Sequence, residues 1–137
     1  MSLSDIYTNV ATVATAAGFT AHSEFVDIRK LPRHQDKVYQ IRPLGVSDAD
    51  ILFSDSIKID LEFRYVVEVV YKLNNDYETK FKTIMDDAAT ILKALVKESN
   101  QHTSAKGTWP VGFGIEPLTD DVVVLSLTFR TIFQDTW

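Results

Sequence analysis

The sequence predicts an α+β fold in which two helices pack on a mostly antiparallel sheet with one long strand. Every odd position of residues 57–73 is apolar, and this period of two is typical of a strand. Apolar residues at helical spacing predict one helix near the start and a second from Asn75 to about Glu98. The residues after the second helix alternate twice around a turn, which predicts a closing hairpin.

The composition is that of one globular domain spanning residues 1–137. The chain is 45% hydrophobic with a net charge of −5, so it is a poor candidate for coating nucleic acid. It has no cysteine, which excludes disulfides, thiol nucleophiles and thiolate zinc sites. No apolar run approaches the ~20 residues of a membrane span, and no signal segment is recognisable. We therefore expect a protein that is made in the cytoplasm and enters no membrane.

Three segments precede the long strand. The first is an amphipathic helix that ends at Gly18, with apolar positions Ile6, Val10, Val13, Ala14 and Ala17. Two short strands follow, the first around Val26 and Ile28 and the second over residues 38–42, with a polar connection between them. Residues 45–56 show no clear period, so a long loop is predicted there.

Residues 57–73 carry the strongest signal in the sequence. They would extend on the order of 55 Å at ~3.3 Å per residue, which is more than a small domain buries. We therefore expect either a bend at a bulge or a projecting half, residues 57–63, whose apolar face and unpaired backbone need cover. The even positions Val66 and Val70 are also apolar, which predicts that both faces of the second half are covered.

The second helix begins with a capping signal. Asn75 is the expected N-cap, with Glu78 three residues further on. One face carries a continuous apolar stripe, while Asp86 and Asp87 belong to the polar face and are expected to be solvated. A polar loop over residues 99–107 follows.

The predicted hairpin contains the only glycine-rich spot in the sequence. Its first strand covers residues 111–115, its turn residues 117–121 and its second strand 123–133. Gly112 and Gly114 lie inside a strand, whereas a phosphate-binding loop needs glycines between a strand and a helix. No nucleotide-binding, nucleophile-elbow or zinc-protease motif is present. We therefore predict no catalytic residue, no cofactor and no metal site.

Charge is segregated along the first half of the chain. A basic cluster comes first, and its members are Arg29, Lys30, Arg33, His34, Lys37 and Arg42. An acidic segment follows, with Asp48, Asp50, Asp55, Asp60 and Glu62. Opposite charges on one small domain favour head-to-tail association between copies.

The order of these elements resembles the tail terminator (tail completion) proteins of long-tailed bacteriophages. The resemblance covers the whole chain and lies in its architecture: residues 57–73 lead directly into the helix from Asn75, and residues 112–133 close the fold. It implies a non-enzymatic virion protein at the head–tail junction, which forms a hexameric ring, ends tail tube growth and offers a docking surface to the head. The implied partners are further copies of the chain, the tail tube protein, head–neck connector proteins and genomic DNA, which passes through the lumen without specific binding.

The resemblance, the long strand and the charge pattern together give roles to particular residues. We expect Asp48, Asp50 and Asp55 to face the lumen, where negative charge repels DNA. Two apolar groups are expected at interfaces with neighbouring subunits or the tube: the loop residues Ile51, Leu52 and Phe53, and the strand residues Ile57 and Ile59. Arg29, Lys30 and Arg33 are expected at the same kind of interface. The alternative for residues 45–56 is a disordered surface loop.

Three other functions stay open on the sequence alone. The first is another neck or connector component, or a tube-capping protein of a contractile particle. The second is a small α+β ligand-binding domain, with a pocket lined by Tyr65, Tyr71, Arg64 and Glu68. The third is a nucleic-acid binder that uses the basic cluster, against which the net charge argues.

Overall fold

The computed structural model of the chain describes residues 3–21, 36–52, 58–103 and 105–136. It confirms the α+β prediction, with two helices packed on one five-stranded sheet. The helices are α1 (Leu3–Ala16) and α2 (Tyr77–Val96), and the short 3₁₀ helix Glu98–Asn100 follows α2. The strands are β1 (Thr20–Ala21), β2 (Val38–Leu52), β3 (Lys58–Lys72), β4 (Ala105–Thr119) and β5 (Val122–Thr136).

The long strand predicted at residues 57–73 is confirmed as β3, and it lies at the centre of the sheet. The strand order is β1-β2-β3-β5-β4, with β1 parallel to β2 and every other pair antiparallel. β3 pairs with β2 over residues 58–70 and with β5 along its full length. The prediction of a half-strand with unpaired backbone is therefore wrong, because both neighbouring strands are as long as β3 itself.

The predicted loop over residues 45–56 is wrong in its first part, because residues 45–52 continue β2. The pairing with β3 shifts between Pro43 and Gly45 and again between Asp48 and Asp50. Each shift inserts a residue and reverses the alternation of faces, which hides the period of two from the sequence. Gly45 has φ +152°, a value that L side chains rarely adopt. Residues 53–57 and the strand predicted around Val26 lie outside the described residues.

The main core lies between the helices and one face of the sheet, which we call the helix face. The odd residues of β3 from Leu61 to Tyr71 point to it, and Tyr65, Val67 and Tyr71 are completely buried there. α2 contributes Ile84, Ala88, Ile91 and Leu95, and α1 contributes Ile6, Val10 and Ala14. A second, smaller apolar cluster on the opposite face comprises Val38, Val70, Val122 and Val124. Val66 and Val70 are both buried, as the sequence predicts.

The ends of the helices follow from local chemistry. α2 is capped by Asp76 and not by Asn75, because the Asp76 carboxylate accepts a hydrogen bond from the Thr79 backbone N–H at 3.3 Å. Asn75 has φ +62°, a left-handed conformation that asparagine tolerates, and it belongs to the turn before the cap. Gly18, at φ +103°, follows α1 as predicted.

The closing hairpin is confirmed, but its strands are longer than predicted. β4 begins at Ala105, inside the predicted polar loop, and residues 117–119 belong to the strand and not to the turn. The turn is therefore only Asp120 and Asp121. Three shifts in the pairing with β5 interrupt the alternation along β4. Pro110 and Pro117 fit this position, because an edge strand accommodates residues without an N–H.

Candidate assembly surface

The structure places only part of the predicted interface. Arg29, Lys30, Arg33, Phe53, Asp55 and Ile57 lie outside the described residues. Asp48, Asp50, Ile51 and Leu52 lie in the second half of β2, and Ile59 lies near the start of β3. The register brings Ile51 opposite Ile59 and Asp50 opposite Asp60. The predicted apolar and acidic residues therefore share one end of the sheet, where β2 turns into β3.

The face of the sheet opposite the helices, here the polar face, carries buried carboxylates on its central strand. Glu68 is 1% exposed and accepts a hydrogen bond from Arg42 Nε at 2.8 Å. Asp60 is bound by Lys106 Nζ at 2.5 Å. Burial of a charge without a partner costs free energy. Each carboxylate of β3 forms an ion pair with a cation from the same sheet.

Glu62 contacts two arginines. It accepts hydrogen bonds from Arg64 Nε at 2.9 Å and from Arg130 at 3.1 Å. The hydrogen bond from Arg64 lowers the pKa of Glu62 below its ordinary value, burial opposes the shift, and Arg130 adds to it. The Arg130 guanidinium also lies over the Trp109 ring, 5.5 Å from its centroid.

These ion pairs involve part of the basic cluster and part of the acidic segment. Asp60 and Glu62, counted in the acidic segment, are neutralised by cations of β3, β4 and β5. Arg42, counted in the basic cluster, is paired with Glu68, and Lys37 lies 3.4 Å from Asp87. The charges of these residues therefore act within the chain and add little to attraction between copies.

The pocket considered for a ligand-binding domain does not form. Tyr65 and Tyr71 point into the core, whereas Glu68 and Arg64 belong to the other face of the sheet. Tyr65 contacts Thr131 at 3.1 Å, and burial raises its pKa to about 12. Tyr71 donates a hydrogen bond to Asp87 at 2.9 Å. Asp87 is half-buried, so the prediction that it is solvated is wrong. Burial and the Asp87 charge raise the pKa of Tyr71.

Two strand segments are exposed on both faces of the sheet. All six residues of 42–47 in β2, here the β2 edge, are exposed, and so are all five of 109–113 in β4, here the β4 edge. Leu44 and Val46 are 49% and 44% exposed, and Val111 and Phe113 are 51% and 53% exposed. No strand among the described residues pairs with β2 beyond Tyr39 or with the outer side of β4. Apolar strand edges of this kind are sites of strand addition.

The two edges lie at the same position along the strand direction of the sheet, which we call their level. One row of paired residues crosses the four long strands as Arg42, Val66, Thr128 and Gly112. The next row crosses as Pro43, Tyr65, Phe129 and Pro110. The apolar residues within 43–46 and 109–113 can be seen in the sequence. Their common level cannot, because it depends on the long-range register of the strands.

Helix α2 exposes a further apolar strip beside its buried one. Phe81, Met85 and Val96 are 37% to 49% exposed along one side of the helix. Phe113 pairs with Leu127, a core residue, so it lies on the helix face of the β4 edge. The helix side of this domain therefore offers apolar contact area as well as an unpaired strand.

The described residues offer little for other chemistry. Within them, no group of three or more metal-ligating side chains comes together. Among the described helices, none is both long and apolar enough to cross a membrane. A shallow crevice between α1 and the chain after α2 is lined by small and amide side chains such as Asn9, Thr12 and Gln101.

Comparison with known proteins gives a structural similarity. No protein-family model matches the chain. No curated protein matches it either. A solved structure described as "Virion of native gene transfer agent (GTA) particle" contains a chain with a TM-score of 0.54 and 17% sequence identity to this one. The alignment covers 95% of this chain and 92% of that chain, so the two share a fold over nearly their whole lengths.

Proposed function

We propose that this chain is a non-enzymatic structural protein of a phage-like virion, which ends the tail tube at its head-proximal end and provides the surface for head docking. The observation that carries the proposal is the fold shared with a chain of a gene transfer agent virion over 95% of this sequence. The order of elements, with its long central strand and closing hairpin, adds the resemblance to tail terminators. Fold alone does not decide function, so the surfaces must supply the mechanism.

The surfaces support a ring. The domain exposes apolar residues at both edges of one sheet, and such residues are covered economically by neighbouring copies. A head-to-tail contact that closes leaves no free edge. Six copies are what the resemblance implies. Tube growth ends where the ring face that meets the tube differs from the face that meets the head.

The end of the sheet where β2 turns into β3 is the proposed contact with the tube and the lumen. Ile51, Leu52 and Ile59 share that end with Asp48 and Asp50. In this proposal the apolar residues, with Phe53 and Ile57, dock on the tube or a neighbouring copy. Asp48, Asp50 and Asp55 line the DNA path, where their charge keeps the duplex from adhering. Arg29, Lys30 and Arg33 complete the subunit contact.

The experiment is a tube-termination assay. The purified chain is added to the polymerising tail tube protein of its own particle, and tube lengths and ends are measured by electron microscopy. We expect rings at one end only and shorter tubes as the chain concentration rises. A variant with Ile51, Leu52 and Phe53 replaced by serine should lose end binding, while Lys82→Ala on the exposed side of α2 should keep it. Unchanged tube lengths and bare ends with the native chain would contradict the proposal.

A connector protein elsewhere in the neck is the second candidate. The fold similarity is to a chain from a whole particle, and that observation fits both positions. The same assay separates them, because a connector binds a tube end that already carries a terminator and leaves growing tubes unaffected.

A further inference from the structure

We propose that the β2 edge of one copy pairs with the β4 edge of the next copy, so that the sheets of neighbouring subunits join into one continuous antiparallel sheet. This inference rests on the proposed ring and specifies the contact that closes it. The partner is a second copy of this chain.

Strand direction permits the contact. The four long strands β2, β3, β5 and β4 alternate in direction across the sheet, so the outermost two run in opposite directions. A rotation about an axis parallel to the strands keeps every direction unchanged. A copy rotated in this way therefore presents its β2 antiparallel to β4 of its neighbour, which continues the pattern inside each subunit.

The positions of the two edges along the strand direction decide whether the copies form a ring or a filament. The rows through Arg42 and Gly112, and through Pro43 and Pro110, show that the β2 and β4 edges lie at the same level. Pairing the two edges at this level needs no slide of one edge along the other. A head-to-tail contact without a shift closes into a ring, whereas a contact with a shift generates a helix.

The backbone of β4 offers hydrogen-bonding groups to such a partner. Pro117 has no N–H, so its pairing with Val123 is of the non-hydrogen-bonded type. Phe113 and Ile115 alternate in phase with Pro117, and they direct N–H and C=O groups away from β5. On β2, Pro43 and Tyr65 form the same type of pair, so Ile41 also directs its groups outward. Pro43 and Pro110 lie in one row and have no N–H, so the hydrogen bonds between copies would form beside that row, where Ile41 lies opposite Phe113.

Both edges expose apolar side chains. Leu44 and Val46 are exposed on β2, and Val111 and Phe113 are exposed on β4. Between these β4 residues lies Gly112, where an added Cβ would meet nothing within 4 Å. Such a glycine has no packing reason within the subunit, and it leaves bare backbone that another strand can approach closely.

A second copy fits these observations better than an unrelated partner. Both halves of the contact occur on the same chain, and each is a run of exposed strand with an apolar centre. A two-fold pairing of β4 with β4 would leave the β2 edges exposed on both outer sides of the dimer. The head-to-tail arrangement covers both the β2 edge and the β4 edge of every copy in a closed ring.

Disulfide trapping tests the contact, because the native chain has no cysteine. Leu44 and Val111 are the extra residues at two bulges, they are both about half exposed, and they flank the Pro43–Pro110 level. Directly opposed Cα atoms of paired strands lie roughly 4.5–5.5 Å apart, and a diagonal pair such as this one lies about 6 Å apart, still within the disulfide range of roughly 4.4–6.8 Å. The double variant Leu44→Cys with Val111→Cys is oxidised at high protein concentration and run on a non-reducing gel. We expect a ladder of disulfide-linked species that ends at the number of subunits in the ring.

The controls make each outcome decisive. Leu44→Cys with Lys82→Cys places one thiol on the far side of α2 and should give no ladder. The single variants should stay monomeric, and a dimer of Val111→Cys alone would show β4–β4 pairing and overturn the proposal. A double variant that melts like the native chain yet forms no ladder would also overturn it. If that variant forms no ladder but still binds tube ends, the proposed function stands and only this contact is wrong. If it forms a ladder but does not bind tube ends, the contact stands and the proposed function is wrong.

Discussion

Replacement of Arg42 by methionine tests whether the buried carboxylates of the polar face depend on their cations. Methionine keeps the length of the aliphatic part of arginine and removes the guanidinium, whose Nε lies 2.8 Å from Glu68 Oε1. Glu68 has a side chain that is 1% exposed, whereas the Arg42 side chain is 53% exposed. The change therefore leaves the carboxylate in place in a site that water barely reaches.

The expected loss of unfolding free energy is about 3 kcal/mol. Removing one member of a buried ion pair costs roughly 3–5 kcal/mol, while exposed pairs contribute about 0.2–1 kcal/mol. The lower end of the first range applies, because Arg42 itself is half in water. The matched comparison is Lys82→Ala, which breaks a fully solvated pair with Glu78 and should cost no more than about 0.5 kcal/mol.

Urea unfolding followed by circular dichroism measures both changes, at concentrations where sedimentation shows a single species. The double variant Arg42→Met with Glu68→Leu should recover most of the loss, because a buried pair is often replaced by apolar residues at little cost. A coupling free energy of about 2 kcal/mol between the two positions is expected. An Arg42→Met variant that loses no more stability than Lys82→Ala would refute the reasoning, because burial of Glu68 would then not control its energetics.

Three further measurements test other parts of the fold. The pKa of Glu62 is lowered in the folded state, so its contribution to stability is present above the ordinary value of 4.5 and is lost as the pH falls below it; Glu62→Gln should flatten the acid limb of the stability curve. The pKa of Tyr65 is raised from 10.0 to about 12, so its contribution is present below pH 10 and lost as the pH rises towards 12; Tyr65→Phe should shift alkaline unfolding upward. Gly112→Ala should stabilise the single subunit by about 0.5–1 kcal/mol and weaken ring assembly, whereas Gly107→Ala should stabilise the subunit less than Gly112→Ala, because the new Cβ would lie 3.0 Å from the Trp109 ring and the ring would have to move.

The sequence was most informative where one face of an element is buried along its whole length. Residues 57–73 alternate without interruption because β3 is central and straight in register, with a core on the helix face throughout its second half. The apolar stripe of α2 has the same cause, because one face of the helix is buried: Ile84, Ala88, Ile91 and Leu95. An unbroken hydrophobic period indicates a face that is buried along the whole element. The periods of the long strand and the second helix therefore predict the α+β class.

Bulges caused the main errors in the fold. β2 shifts register twice and β4 three times, so the residues that share a face are not spaced by two across those points. Residues 45–52 therefore have the composition of a loop and the structure of a strand. The hairpin turn was placed too early for a related reason, because Pro117 lies on an edge, where a missing N–H interrupts no ladder.

The ionic contacts of the polar face could not be predicted from local pattern. Arg42 and Glu68 are 26 residues apart, and Arg130 and Glu62 are 68 apart. Their partners are fixed by the register of strands that the sequence analysis placed only approximately. The alternation of polar residues along β3 indicated a second face, but it did not distinguish a solvated face from one with buried and neutralised carboxylates.

This neutralisation changes the physical basis for assembly. With Asp60, Glu62 and Arg42 tied to partners in the same chain, long-range attraction between basic and acidic segments is weakened as a reason for copies to associate. What the described surface leaves unsatisfied is instead apolar and directional: exposed side chains at 44, 46, 111 and 113, with outward backbone groups beside them. An interface built on such groups should depend weakly on salt, because ionic screening acts on charges and not on buried apolar area or paired strands. Ring formation that persists at about 1 M salt, where the Debye length is roughly 3 Å, would support strand pairing as the cause of association, and dissociation under those conditions would return the explanation to charge.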